Sequence, residues 1–132
     1  MFTTTLQMPI YRIVSFVKEG KYTLNLPAKP KRNFAFIEAL YMHLPIKLIA
    51  YQHDSGWLEF SEDASLKIQT LIDVMNNKCP LEGFQYNPSL NGVKYKDLAY
   101  SDTHQIHLND LLILITKDKD SLDNFASRFQ GI

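Results

Sequence analysis

The sequence predicts an α+β fold, one small mixed sheet with helices packed on it, and three observations carry that expectation. Four segments place apolar residues at helical spacing, and four shorter apolar runs are bounded by turn residues as strands are. The two kinds of segment are mixed along the chain, which implies helices laid on a small sheet. No stretch rich in Gly, Ser or Pro divides the 132 residues and no internal repeat occurs, so residues 1–132 read as one domain.

Taken in order, Ile10, Ile13, Val14 and Val17 recur at helical spacing, with Gly20 as the stop. A strand reading with Arg12, Val14 and Phe16 on one face stays open for the same segment. Lys21 to Leu26 reads as a short strand, ended by Pro27 and Pro30. Phe34 to Met42 is a compact helix carrying Phe36, Ile37, Leu40 and Tyr41 on one face, closed by Pro45. Ile46–Gln52 and Trp57–Phe60 form a hairpin around His53-Asp54-Ser55-Gly56. Asp63 to Asn76 is the clearest helix, with Ile68, Leu71, Ile72 and Met75 on one stripe and Asp63 as N-cap. Asn91-Gly92 marks a tight turn. Leu111 to Thr116 reads as a fully buried strand, and a last helix carries Leu122, Phe125, Ala126 and Phe129, capped by Asp118 or Asp120.

Composition narrows the function classes. An apolar fraction of 45% is enough for a packed core and argues against disorder. Fourteen basic residues balance fourteen acidic ones, so no global charge draws the chain to nucleic acid or an anionic membrane. Cys79, the single cysteine, has no internal partner, which favours a reducing compartment. The N-terminus lacks a basic region ahead of an apolar stretch, and the longest continuous apolar run, Leu111 to Ile115, is too short to span a bilayer. Cytoplasmic placement, with no membrane partner, is the expectation.

The order of the segments resembles a known family. Leu44-Pro45-Ile46 followed by a hairpin, Leu71 to Asn76 on the helix behind it, Leu90-Asn91-Gly92, the apolar strand and the ending Phe125 to Gly131 follow one plan over residues 10 to 132. This plan is similar to the N-terminal domain of GmrSD-type restriction proteins, of the ParB/sulfiredoxin-like superfamily. The resemblance implies a ParB/sulfiredoxin-like fold and a nucleoside triphosphate with Mg2+ held at an Asp-Gly-Gln-Gln-Arg motif. Here Asp63-Ala64-Ser65-Leu66-Lys67 stands in that place, and the Leu-Pro-x-Phe-Gln-Arg segment of the family has no counterpart after Leu26-Pro27. The closing Asn of the family is Gln130.

The departures bear on chemistry. Phosphate at a helix N-terminus is held by backbone N–H groups and a basic side chain. Ala64 takes up room that Gly would leave, and Lys67 keeps a charge but loses the planar fork of Arg. Asp63, Ala64, Ser65 and Lys67 are therefore the residual nucleotide-binding candidates, with Asp63 read first as a helix cap and Lys67 first as a solvated helix face. Lys29, Lys31 and Arg32 form a basic run that could touch phosphate, extended by Lys18 and Lys21, with a solvated loop as the plainer reading. His104 and His107 sit three apart near Asp102 without the spacing of a metal motif, so no metal site and no catalytic residue is assigned. Two functions remain. One is a non-catalytic binding module contacting protein, a second copy included, or nucleotide, linked to restriction or phage defence. The other is a minimal NTPase or nuclease component using Asp63 and Lys67. Loss of four of five motif residues favours the first.

Overall fold

The apolar stripes and runs of the sequence meet in one mixed sheet. The computed structural model describes residues 2–129. Its strands are β1 (Phe2–Pro9), β2 (Tyr22–Thr23), β3 (Lys47–Gln52), β4 (Leu58–Phe60) and β5 (Asp110–Thr116), in the order β1-β5-β3-β4-β2. β5 runs antiparallel to β1 and parallel to β3, while β4 is antiparallel to β3 and parallel to β2. The helices are α1 (Ile10–Lys18), α2 (Phe34–Tyr41), α3 (Glu62–Met75), α4 (Tyr100–His107) and α5 (Leu122–Phe129). The expected α+β class, a small mixed sheet with helices on it, is what the chain forms.

Alternation along the strands sorts side chains into two layers. Leu48, Ala50, Leu58, Phe60, Leu111, Ile113 and Ile115 join a core with Ile10 and Ile13 of α1, Phe36 and Leu40 of α2, Ile68 and Leu71 of α3, and Ile106 of α4. On the opposite face Ile49 meets Leu122 and Ala126 of α5, with Tyr51 and Leu114 packed alongside. The strand read as wholly buried departs from that at Leu112, which is exposed, and at Leu114, which is half-buried. Leu111, Ile113 and Ile115 are sealed, whereas Leu112 is exposed, because α5 covers only part of the second face.

Helix ends follow local chemistry. Gly20, at φ +76, lets the Lys21 N–H reach the Phe16 carbonyl and closes α1, the stop its position predicts. His43 ends α2 and Asn77 ends α3 with the same bonding, although neither is glycine. Segment 21–26 departs from the strand expectation after Thr23. There the Asn25 N–H donates to Ser65 Oγ at 2.7 Å and its amide donates to the Phe60 carbonyl at 2.9 Å, pulling the chain off the sheet and across α3. A 3-10 turn, Lys119–Ser121, separates Asp118 from α5. The side chains of Phe125 and Phe129, and the closing Gln130 and Gly131, lie outside what is described. Two elements carry no apolar periodicity in the sequence, β1 and α4, whose sole buried side chain is Ile106.

Candidate functional site

Asp63, Ala64, Ser65 and Lys67 lie in the first turns of α3, while Lys31 and Arg32 face its later turns, in opposite conditions. At its N-terminus the cap is Ser61, whose Oγ accepts from the Ala64 N–H at 3.2 Å, so the expectation that Asp63 caps the helix is corrected. Asp63 instead sits in the first turn, where its charge suits the helix dipole, with Oδ2 2.8 Å from Lys67 Nζ. Lys67 is 0% exposed, which overturns its reading as a solvated face. Its contact with Asp63 is an ion pair rather than a directed hydrogen bond, and the ammonium has no hydrogen-bond partner among the described residues. Ala64 is core, and Ser65 is buried, accepting from Asn25 and donating to the Phe60 carbonyl.

These residues do not fit a triphosphate with Mg2+. The one cation is sealed, and the one hydroxyl is committed to fastening the segment before α2. Asp63, 25% exposed, is the only side chain of the four that meets water, and its charge is taken up by Lys67.

About two turns further along α3 the surface opens. Pro30, Lys31, Arg32 and Phe34 face Leu66, Gln69, Thr70 and Asp73 across a cleft of about 460 Å3, with Glu82 on its rim. The Asn33 N–H donates to Thr70 Oγ at 2.8 Å and fixes the segment to the helix. Arg32 Nε donates to Asp73 Oδ2 at 3.2 Å, and Gln69 Nε2 donates to Asp73 Oδ1 at 2.9 Å. Of the basic run, Lys31 and Arg32 line this cleft. Lys29 is exposed and does not line it, and Lys21 lies over Phe16 and Trp57 beside Glu19.

A second surface lies around the end of α2. Met42, Leu44, Tyr86, Tyr100 and Leu108 are exposed, Tyr86 and Tyr100 by 75% each. Two hollows take lining residues from the stretch 42–44. Met42 and Leu44 line one with Tyr86 and Ala39, and His43 lines the other with Tyr100, His104 and Leu108. Glu38 holds the loop beneath. Its carboxylate accepts from the backbone N–H groups of Gln85, Tyr86 and Asn87, each at 3.0 Å. Burial alone would raise its pKa, but these bonds together outweigh it and hold the carboxyl below the ordinary glutamate value. Sequence reasoning passed over Glu38; a glutamate on the apolar face of a compact helix was the available signal.

Other titratable groups are structural in character. Tyr41 donates to Asp102 Oδ1 at 2.7 Å, a bond that raises the phenol pKa. Burial raises the Cys79 thiol, leaving it a poor nucleophile at neutral pH. His104 and His107 share one side of α4 with rings 5.3 Å apart, and no group of three potential metal ligands occurs among the described residues. No helix among those residues is long and apolar enough to cross a membrane. Protein-family models, curated proteins and solved structures gave no match to this chain.

Proposed function

We propose that the protein is a non-catalytic binding module of the cytoplasm that works through the apolar face around the end of α2, and that its partner is a second copy of the same chain. The observation that carries this is the exposure of Met42, Leu44, Tyr86, Tyr100 and Leu108, which line two hollows that both draw on residues 42–44 at the end of α2. Exposed aromatic and apolar side chains grouped in this way are the usual centre of a protein interface. The one charged residue lining the two hollows is Glu38, and it is spent on the backbone beneath. Such a surface suits protein rather than nucleic acid. Protruding rings beside hollows supply what a two-fold self-contact requires, and a net charge of zero opposes no pairing of copies.

The sealed Lys67 supports the absence of turnover. Resemblance to the GmrSD restriction group offers the setting, a ParB-like domain with a worn motif serving restriction or phage defence. Sedimentation velocity across a concentration series tests the reading. Dimers that dissociate when Tyr100→Asp and Leu108→Asp are combined, with circular dichroism unchanged, are expected. A chain monomeric at all concentrations would overturn self-association. Thermal shifts with ATP, GTP, CTP and UTP, with and without Mg2+, test the remainder. A ligand at about 100 times its Kd adds roughly 2.7 kcal/mol, and no such shift is expected. Mg2+-dependent turnover abolished by Asp63→Ala would sink the non-catalytic reading.

A further inference from the structure

The cleft beside Arg32 is independent of the apolar face and has features a plain surface ion pair lacks. Asp73 is nearly buried, and both its oxygens are engaged, one by Arg32 Nε and one by Gln69. Its charge is thus committed to holding one guanidinium edge. A guanidinium has five N–H donors, and Asp73 takes one of them. The Nη groups have no partner among the described residues, and the Arg32 side chain is 45% exposed. The backbone next to it is fastened by the bond from Asn33 to Thr70. An arginine held by Nε presents its far edge as a fork that matches two oxygens of a carboxylate or phosphate.

The remaining walls narrow the ligand. Lys31 adds a second positive charge, while Phe34 and Leu66 supply an apolar side. Glu82 and Asp73 balance the two cations in the lining, which disfavours a polyanion such as nucleic acid. A volume near 460 Å3 is in the range of small-molecule sites. We propose that the cleft binds a small molecule carrying one oxyanion, phosphate or carboxylate, on a flat apolar body. Arg32 grips the oxyanion, Asp73 is the positioning residue, and the body lies against Phe34 and Leu66.

The test is a titration of the 15N-labelled chain with phenyl phosphate, benzoate, inorganic phosphate and phenol, followed by NMR at the Gln69 side-chain amide and Arg32 Nε. Saturable shifts with phenyl phosphate or with benzoate are expected, and whichever binds more tightly identifies the oxyanion. Phenol should leave both signals unmoved, and inorganic phosphate should bind more weakly than phenyl phosphate. Arg32→Lys should weaken binding by about tenfold or more, since it keeps the charge and removes the fork. Asp73→Asn should weaken it while broadening the Arg32 Nε signal. Glu82→Gln, at an exposed position, should tighten binding of the anion. Absence of saturable shifts with both aromatic anions, or equal affinity in Arg32→Lys, overturns the proposal.

Discussion

Two carboxylate–cation pairs on α3 are mirror images in exposure. In Asp63–Lys67 the cation is 0% exposed and the acid 25%, whereas in Arg32–Asp73 the cation is 45% exposed and the acid 11%. The first pair turns its charge inward and has nothing to offer a ligand. The second sinks the acid and leaves the cation at the rim of a cleft. Residues 63–67, where the resemblance would put a nucleotide motif, serve the core, and the solvent-facing charge sits about two turns further along the helix.

Removing one partner of the sealed pair should cost most. Asp63→Ala strands the Lys67 ammonium in the core and should destabilise by roughly 3 kcal/mol, the low end of the usual cost because Asp63 keeps contact with water. Urea unfolding would measure it, and Asp63→Ala with Lys67→Met should recover most of the loss. Additive losses in that double mutant would break the contrast between the two pairs.

Glu38 sharpens the comparison, being a buried acid satisfied by N–H groups with no cation. Glu38→Gln should cost about 1.5–3 kcal/mol, the range for hydrogen bonds to a charged group. Its folded pKa lies below its unfolded value of about 4.5, so its stabilisation is present above that value. It is lost as pH falls from there through the folded pKa. Glu59, lowered by Asn25 and Lys119 against its own burial, acts in the same direction. The melting temperature should therefore decline below about pH 4.5, less steeply in Glu38→Gln.

Arg32→Ala breaks the open pair and should cost under about 1 kcal/mol by chemical denaturation, since the guanidinium is half in water. A much larger loss would mean the pair is structural after all. Smallest of all, Leu108→Ser should alter stability by no more than about 0.5 kcal/mol while still weakening self-association in the ultracentrifuge.

Periodicity made α1, α2, α3, the β3–β4 hairpin and β5 legible, because each carries its burial in its own spacing. β1 was invisible for a physical reason. Thr-Thr-Thr-Leu-Gln is an edge segment, exposed from Thr4 to Gln7, held by backbone pairing with β5 rather than by an apolar face. α4 buries a single side chain and so has no stripe to read. The site was harder. A lysine on a helix reads as solvent-facing, and only the assembled core closes over Lys67. The basic run was visible, but Asp73, which turns Arg32 from a solvated charge into an oriented one, stands on another element. The pairing of Glu38 with the 85–87 backbone is likewise a tertiary event.

The sheet order also constrains how the chain can come together. β3, β4 and β2 can pair early, but β5 lies between β1 and β3, so β1 and the free side of β3 stay unpaired until β5 arrives. Such long-range closure slows folding, and at about 5–20 residues per second the first strand spends several seconds of synthesis without its neighbour. Over that interval β1, with no charged residue, and β3, with its apolar middle, are open to pairing with other nascent chains.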